Sequence, residues 1–153
     1  MPFTTLQLKS SDFQNKEDKK TIAVFEKLLS ELSNRTVPAS IEAFVNECID
    51  RINSSVLPEK KRIRFVAKQQ ALILQRVEKE LKWVPKNHYR FLFMLFGMSG
   101  IGIPIGVSIG FALNNMGLLG TGFPIGMAIG FAIGISKDKK AAAENRQLDL
   151  DVL

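Results

Sequence analysis

The chain has 153 residues, a formal net charge of +6 and 46% hydrophobic residues, enough for one small domain and an apolar segment beside it. One cysteine and one histidine exclude an intramolecular disulfide framework and leave few groups for nucleophile–base catalysis or metal ligation. The averages hide a division: residues 1–90 carry 17 Lys/Arg, 11 Asp/Glu and no glycine, whereas the 46 residues Phe91–Ser136 carry no formal charge and all 11 glycines.

Residues 1–12 read as an extended or loosely ordered lead. Lys9, Asp12, Lys16 and Glu17 interrupt any apolar core of signal-peptide type, so membrane insertion is expected to rely on the later apolar stretch. A first helix is predicted over 16–33, with Ile22, Phe25, Leu28, Leu29 and Leu32 on one face, and Asn34-Arg35-Thr36-Val37-Pro38 ends it. A second is predicted over 39–54, its apolar stripe formed by Ile41, Phe44, Val45, Cys48, Ile49 and Ile52. Cys48 belongs to that stripe beside Glu47 and Asp50, which suits a core thiol better than a reactive one. The hydroxyls of Ser54 and Ser55, followed by Pro58 and Glu59, predict the start of a third helix over 58–83. Ile63, Val66, Gln70, Ile73 and Val77 give its bundle face, with Gln70 a polar break.

Lys60, Lys61, Arg62, Arg64 and Lys68 form the most basic run. Three readings stand: a solvated helix face, attraction to anionic headgroups, or a protein or nucleic-acid partner. Nucleic acid is the weakest, because the run belongs to no recognised binding motif. Val84-Pro85-Lys86-Asn87-His88 then marks an elbow, and the lone His88 fits interface polarity better than catalysis.

The uncharged stretch divides at Asn114-Asn115-Met116-Gly117 into segments 91–113 and 118–135. A bilayer core about 30 Å thick needs roughly 20 apolar residues of helix, so each segment is predicted to cross it. Gly117 is the expected left-handed turn residue. Gly97–Ala112 matches Gly117–Ala132 at ten of sixteen positions. Glycines recur every four residues at Gly102, Gly106 and Gly110, and again at Gly122, Gly126, Gly130 and Gly134. Such rows let helix backbones approach closely in lipid, where no hydrophobic force drives helices together. A pivot at Met116 would set Gly102, Gly106 and Gly110 against Gly130, Gly126 and Gly122. Pro104, Ser108 and Ala112 lie two residues off this ridge and make a second small-residue face, available to another copy.

Small and large residues also alternate over 100–113 and 120–135, the period of a strand. A two-stranded hairpin would leave its edges unpaired in lipid, and Pro104 and Pro124 suit central strands badly. Gly100-Ile101-Gly102 and Gly120-Thr121-Gly122 begin like dinucleotide fingerprints, but the next glycine comes one residue late and no βαβ unit surrounds them.

The block Gly102–Gly134, followed by Lys137-Asp138-Lys139-Lys140, resembles the glycine-zipper hairpin of small bacterial membrane proteins. The resemblance covers about 97–148 and implies an architecture in a bacterial inner membrane rather than an activity.

Lys82, Lys86 and Arg90 precede the hairpin, and Lys137, Lys139 and Lys140 follow it, while the turn has no charge. The positive-inside rule then places both termini in the cytoplasm, with Trp83, Lys86, Tyr89, Arg90, Lys137, Lys139 and Lys140 at the interface. The expected fold is all-α: a soluble three-helix domain (1–85), a transmembrane hairpin (86–136) and a polar tail (137–153). No enzyme, cofactor or metal site is expected. The leading functional expectation is a self-associating homo-oligomer in the lipid bilayer, in its sharper form a pore. The alternative is an anchored adaptor whose helices bind a protein partner.

Overall fold

Residues 3–9, 11, 13 and 15–150 are described in the computed structural model of the chain, which is all-helical in class apart from two paired two-residue strands. It divides into two units, one made of residues 1–84 with 148–153 and the other of 85–147.

In the first unit, α1 (Lys16–Ser33) starts where the Asn15 side chain accepts the Glu17 N–H at 3.2 Å, and Glu17 and Asp18 stand at the positive end of its dipole. It buries Ile22, Phe25, Leu28 and Leu32. Following Pro38, α2 (Ala39–Asn53) buries Ile41, Val45, Cys48, Ile49 and Ile52. α3 (Glu59–Leu81) buries Ile63, Val66, Gln69, Gln70, Ile73 and Val77. These faces share one core, and burial pushes the Cys48 thiol above its ordinary range. α3 stops at Lys82, which takes a left-handed conformation with φ 60° and donates its N–H to the Glu78 carbonyl at 3.0 Å.

The expected hydroxyl caps of α3 act on the preceding helix instead. Ser54 and Ser55 donate to the carbonyls of Arg51 and Ile52, at 3.3 and 2.7 Å. They satisfy orphan acceptors at the end of α2, and Pro58 alone precedes α3 without a side-chain cap. The described part of the lead is extended and tied down: Thr4 N–H donates to Asn46 Oδ1 at 2.8 Å, and Gln7 N–H to Asn53 Oδ1 at 3.0 Å. Asn53 Nδ2 returns a bond to the Thr5 carbonyl at 3.0 Å. Phe3, Leu6 and Leu8 thereby lie against the core, and Phe13 enters it.

The second unit is a helical hairpin. Its first arm runs through α4 (His88–Phe96), a π-helical turn (Gly97–Gly102) and α5 (Ile103–Ala112). A 3-10 turn (Met116–Thr121) leads into α6 (Gly122–Ala143). Asn114, not Gly117, makes the left-handed turn: its φ is 47°, and no described glycine has positive φ. Asn115 N–H reaches the Gly110 carbonyl at 2.9 Å and Asn114 N–H the Phe111 carbonyl at 3.2 Å, the paired bonds of a Schellman end. Asn115 Oδ1 then accepts the Gly117 N–H at 3.0 Å and starts the 3-10 turn. Asn145 ends α6 in the same way, with φ 53° and bonds from Asn145 to Ala142 and from Arg146 to Ala141.

The expected boundaries need one correction. The described residues of the expected polar tail 137–153, residues 137–150, do not form a separate tail. α6 continues to Ala143, Gln147–Leu148 (β2) pairs with Val84–Pro85 (β1), and Leu148 and Leu150 are fully buried in the core of the first unit. Lys27 and Asp149 form an ion pair at 3.1 Å beside them. Two isolated leucines in a polar context carry no helical periodicity, so their burial is a tertiary effect. Replacing Leu148 or Leu150 with alanine is expected to cost the first unit about 2–5 kcal/mol, read from denaturant unfolding of the detergent-solubilised chain by Trp83 fluorescence.

Candidate functional site

The hairpin arms meet along glycine. A Cβ placed on Gly97 would lie 2.8 Å from the Gly130 Cα, one on Gly122 2.8 Å from the Gly106 Cα, and one on Gly126 2.7 Å from the Gly102 Cα. On Gly102 it would meet the Gly122 carbonyl oxygen at 2.8 Å, on Gly130 the Phe93 carbonyl carbon at 2.8 Å, and on Gly134 the Tyr89 carbonyl oxygen at 2.6 Å. On Gly106 it would meet Leu119 at 3.0 Å. Real side-chain carbons do not sit this close to a neighbouring backbone, so the contact admits glycine and little else. Gly110 is looser, 3.4 Å from Met116 Sδ, and Gly100 and Gly120 have nothing within 4 Å.

The register differs from the one expected. Gly102 faces Gly122 and Gly126 rather than Gly130, because Asn114 ends the first arm at Ala112 and moves the pivot ahead of Met116. Gly97 joins the ridge although it lies five residues before Gly102. An i→i+5 turn returns the fifth residue to the starting face, and Gly97–Gly102 is such a turn. Pro104 follows it and offers no N–H to the carbonyl four residues earlier, a recognised cause of local helix distortion. Its repeat partner Pro124 falls in the first turn of α6, where a missing N–H matters least.

Small residues line the inside, and large apolar ones face outward. Phe96, Phe111 and Leu113 are 64%, 70% and 62% exposed, and Ile125, Met127, Ile129, Phe131 and Ile133 are exposed along α6. Helical stretches His88–Ala112 and Met116–Ala143 are each long and apolar enough to cross a membrane. Only 17% and 22% of their most apolar windows is buried, unlike the core helices of a soluble protein. Ser99, Ser108 and Thr121 donate to the Leu95, Pro104 and Leu118 carbonyls of their own arms at 2.9, 2.8 and 2.7 Å.

At the open end the ridge finishes in a charge. Gly122, Gly126, Gly130, Gly134 and Asp138 follow at four-residue steps and are all buried, Asp138 with 5% exposure. Its two oxygens accept the N–H groups of Tyr89 and Arg90, both at 3.0 Å. These are orphan donors in the first turn of α4, whose own preceding residue Asn87 has φ 60° and supplies no side-chain cap. Asp138 therefore caps α4 from the other arm, its negative charge at the positive end of the helix dipole. Asp138 and Gly97 were both missing from the expected site. The four-residue continuation past Gly134 signals one, and the start of the internal repeat at Gly97 signals the other.

The expected interface residues separate. Trp83 packs against the core of the first unit, with the Arg35 guanidinium 5.0 Å from its ring centroid. In the hairpin, the Arg90 guanidinium lies 5.4 Å from the Phe131 ring centroid, and Tyr89 meets His88 edge-on at 5.2 Å. Lys86, Lys137, Lys139 and Lys140 are exposed. Of the basic run on α3, Lys60, Lys61, Arg64 and Lys68 are exposed. Arg62 is turned back, its Nε and Nη2 donating to the Leu57 carbonyl at 3.2 and 2.9 Å. Among the described residues no three His, Cys, Asp or Glu side chains gather as a metal site.

No known protein family, curated protein or solved structure matches the chain.

Gly126→Ala is expected to destabilise the hairpin by about 1–3 kcal/mol through overpacking, while Gly120→Ala is neutral or stabilises by up to about 1 kcal/mol. SDS titration of the full chain, with a dye pair at the open ends of the arms, distinguishes them. Asp138→Ala leaves the Tyr89 and Arg90 amides unpaired at an expected cost of about 1–3 kcal/mol, and Asp138→Asn, which keeps one acceptor oxygen, costs less. Hydrogen exchange at these two amides gives the measurement.

Proposed function

We propose that the chain is a non-catalytic integral membrane protein: a closed helical hairpin inserted in the bilayer, anchoring a helical unit that binds a protein partner. The observation that carries this reading is the inverted packing of the hairpin, with glycine inside and large apolar side chains outside. In water those outward residues would have no reason to be exposed; in hydrocarbon they are the solvated face. The absence of formal charge over Phe91–Ser136 suits the same environment.

Self-association through the glycine ridges, as in a glycine zipper between copies, is disfavoured because each ridge is already occupied by the opposite arm. A pore is disfavoured too, since the hydroxyls of Ser99, Ser108 and Thr121 bond their own helices rather than forming a polar line. The outward small-residue face of Pro104, Ser108 and Ala112 is the remaining route to a homo-oligomer. Basic residues at the open end, Lys86, Arg90, Lys137, Lys139 and Lys140, favour a topology with that end in the cytoplasm and Asn114–Gly117 across the membrane. For the partner surface, exposed Lys60, Lys61, Arg64 and Lys68 on α3 are the candidates, and an acidic protein face is the chemistry they suit.

Reconstituted in liposomes, the chain should resist alkaline carbonate extraction, and Asn115→Cys should react with an impermeant thiol reagent from the side opposite Ser136→Cys. In nanodiscs it should be monomeric and give no ion flux. Extraction by carbonate would refute insertion. A defined conducting oligomer would replace the anchor with a pore.

A further inference from the structure

A cleft of about 170 Å³ opens at the charged end of the hairpin, lined by Tyr89 and Phe93 of α4, Lys137 and Lys140 of α6, and Arg146. We infer that it holds the phosphate of one anionic phospholipid, the headgroup on the three cations and the start of the acyl region against Phe93. This rests on the membrane reading above, which puts the cleft at the level where the uncharged stretch gives way to charge.

The walls have the two characters such a ligand needs. Lys137 and Lys140 are exposed and lie three residues apart, on one face of α6. Arg146 is brought back by the left-handed turn at Asn145. Its Nε donates to Glu144 Oε2 at 2.6 Å, and Lys140 Nζ stands 3.9 Å from Glu144 Oε1. Glu144 thus pairs with two of these cations, while Lys137 stands exposed beside them. It orients the guanidinium, and Tyr89 lines the same cleft beside Arg146. The second nearby acid, Asp138, is buried and directed at the Tyr89 and Arg90 amides, so it does not face an incoming anion. Phe93, one turn further along α4, continues the cleft toward the apolar stretch. Basic pockets between membrane helices at the cytoplasmic face have this composition where they bind acidic headgroups. Asp138 fixes the two arms on which the site is built, so the cleft is a property of the closed hairpin.

The test uses the full chain in nanodiscs of phosphatidylcholine with a minor fraction of phosphatidylglycerol, then native mass spectrometry after release. Retention of about one phosphatidylglycerol per chain is expected, weakened roughly tenfold or more in K137Q/K140Q/R146Q. Charge-conserving K137R/K140R and the distant K60Q/K61Q should retain it. If the triple variant loses helix content, Lys137→Gln alone is the decisive variant, and retention there should fall several-fold. Equal retention in wild type and variant, with both resisting carbonate extraction, overturns the lipid site and leaves the anchor standing. Displacement by millimolar glycerol 3-phosphate overturns the lipid assignment in favour of a free phosphate ester. Carbonate extraction of the wild type overturns both readings.

Discussion

The contact between two helix backbones, with no side chain between them, is the constraint on which the hairpin depends. Gly97, Gly102 and Gly106 on one arm meet Gly122, Gly126 and Gly130 on the other at separations that exclude a methyl group. Carbonyl groups and Cα atoms then supply the packing that leucines supply in a soluble bundle. Other features of the hairpin serve this contact. Asn114 stops the first arm at the residue that sets the register, and the π-helical turn brings Gly97 into line. The repeat supplies the same ridge twice, and the two copies resolve differently: a π-helical turn in one arm, a 3-10 turn in the other. A shared glycine pattern therefore does not give equal local structure: the residues between the glycines differ, and only the first copy has a helix leading into it.

Asp138 completes the same line in another chemistry. Where the ridge leaves the uncharged stretch, a glycine would still permit close approach but would leave the start of α4 with unsatisfied donors. A carboxylate at that position fills the gap and bonds two of them. The hairpin thus bonds helix-end backbone groups internally at both ends, through Asn114 and Asn115 at the turn and Asp138 at the opening. What it offers outward between them is almost wholly hydrocarbon, which is the physical basis for reading it as an anchor.

Much of this was legible in the sequence. The periodic faces of α1 to α3 located those helices within two residues at either end, because proline and polar breaks bound them. The four-residue glycine rows identified which surface of each arm packs. The register was not legible, since asparagine and glycine both suit a left-handed turn and nothing local decides between Asn114 and Gly117. Asp138 was concealed among lysines in what reads as a solvated run. Arg62 appeared equivalent to Lys60 and Lys61, yet it bonds the Leu57 carbonyl, a choice made by the loop before α3. Leu148 and Leu150 were invisible for a simpler reason: they carry no helical periodicity, and their burial depends on a core formed by residues that end at Val77, far earlier in the chain.

That last arrangement makes the first unit discontinuous, with the entire hairpin inserted between Val84 and Leu148. During synthesis α1 to α3 leave the ribosome with a gap in their core, and Leu148 and Leu150, which fill it, are made only after the whole hairpin. The intervening segment is long, and closing it as a flexible loop would carry a substantial entropy. Once the arms have paired, their open ends are already neighbours, and the loop to be closed is only a few residues. Closing the front core after the hairpin has assembled therefore costs less loop entropy than closing it before. A chain halted before Leu148 would be left with that core exposed.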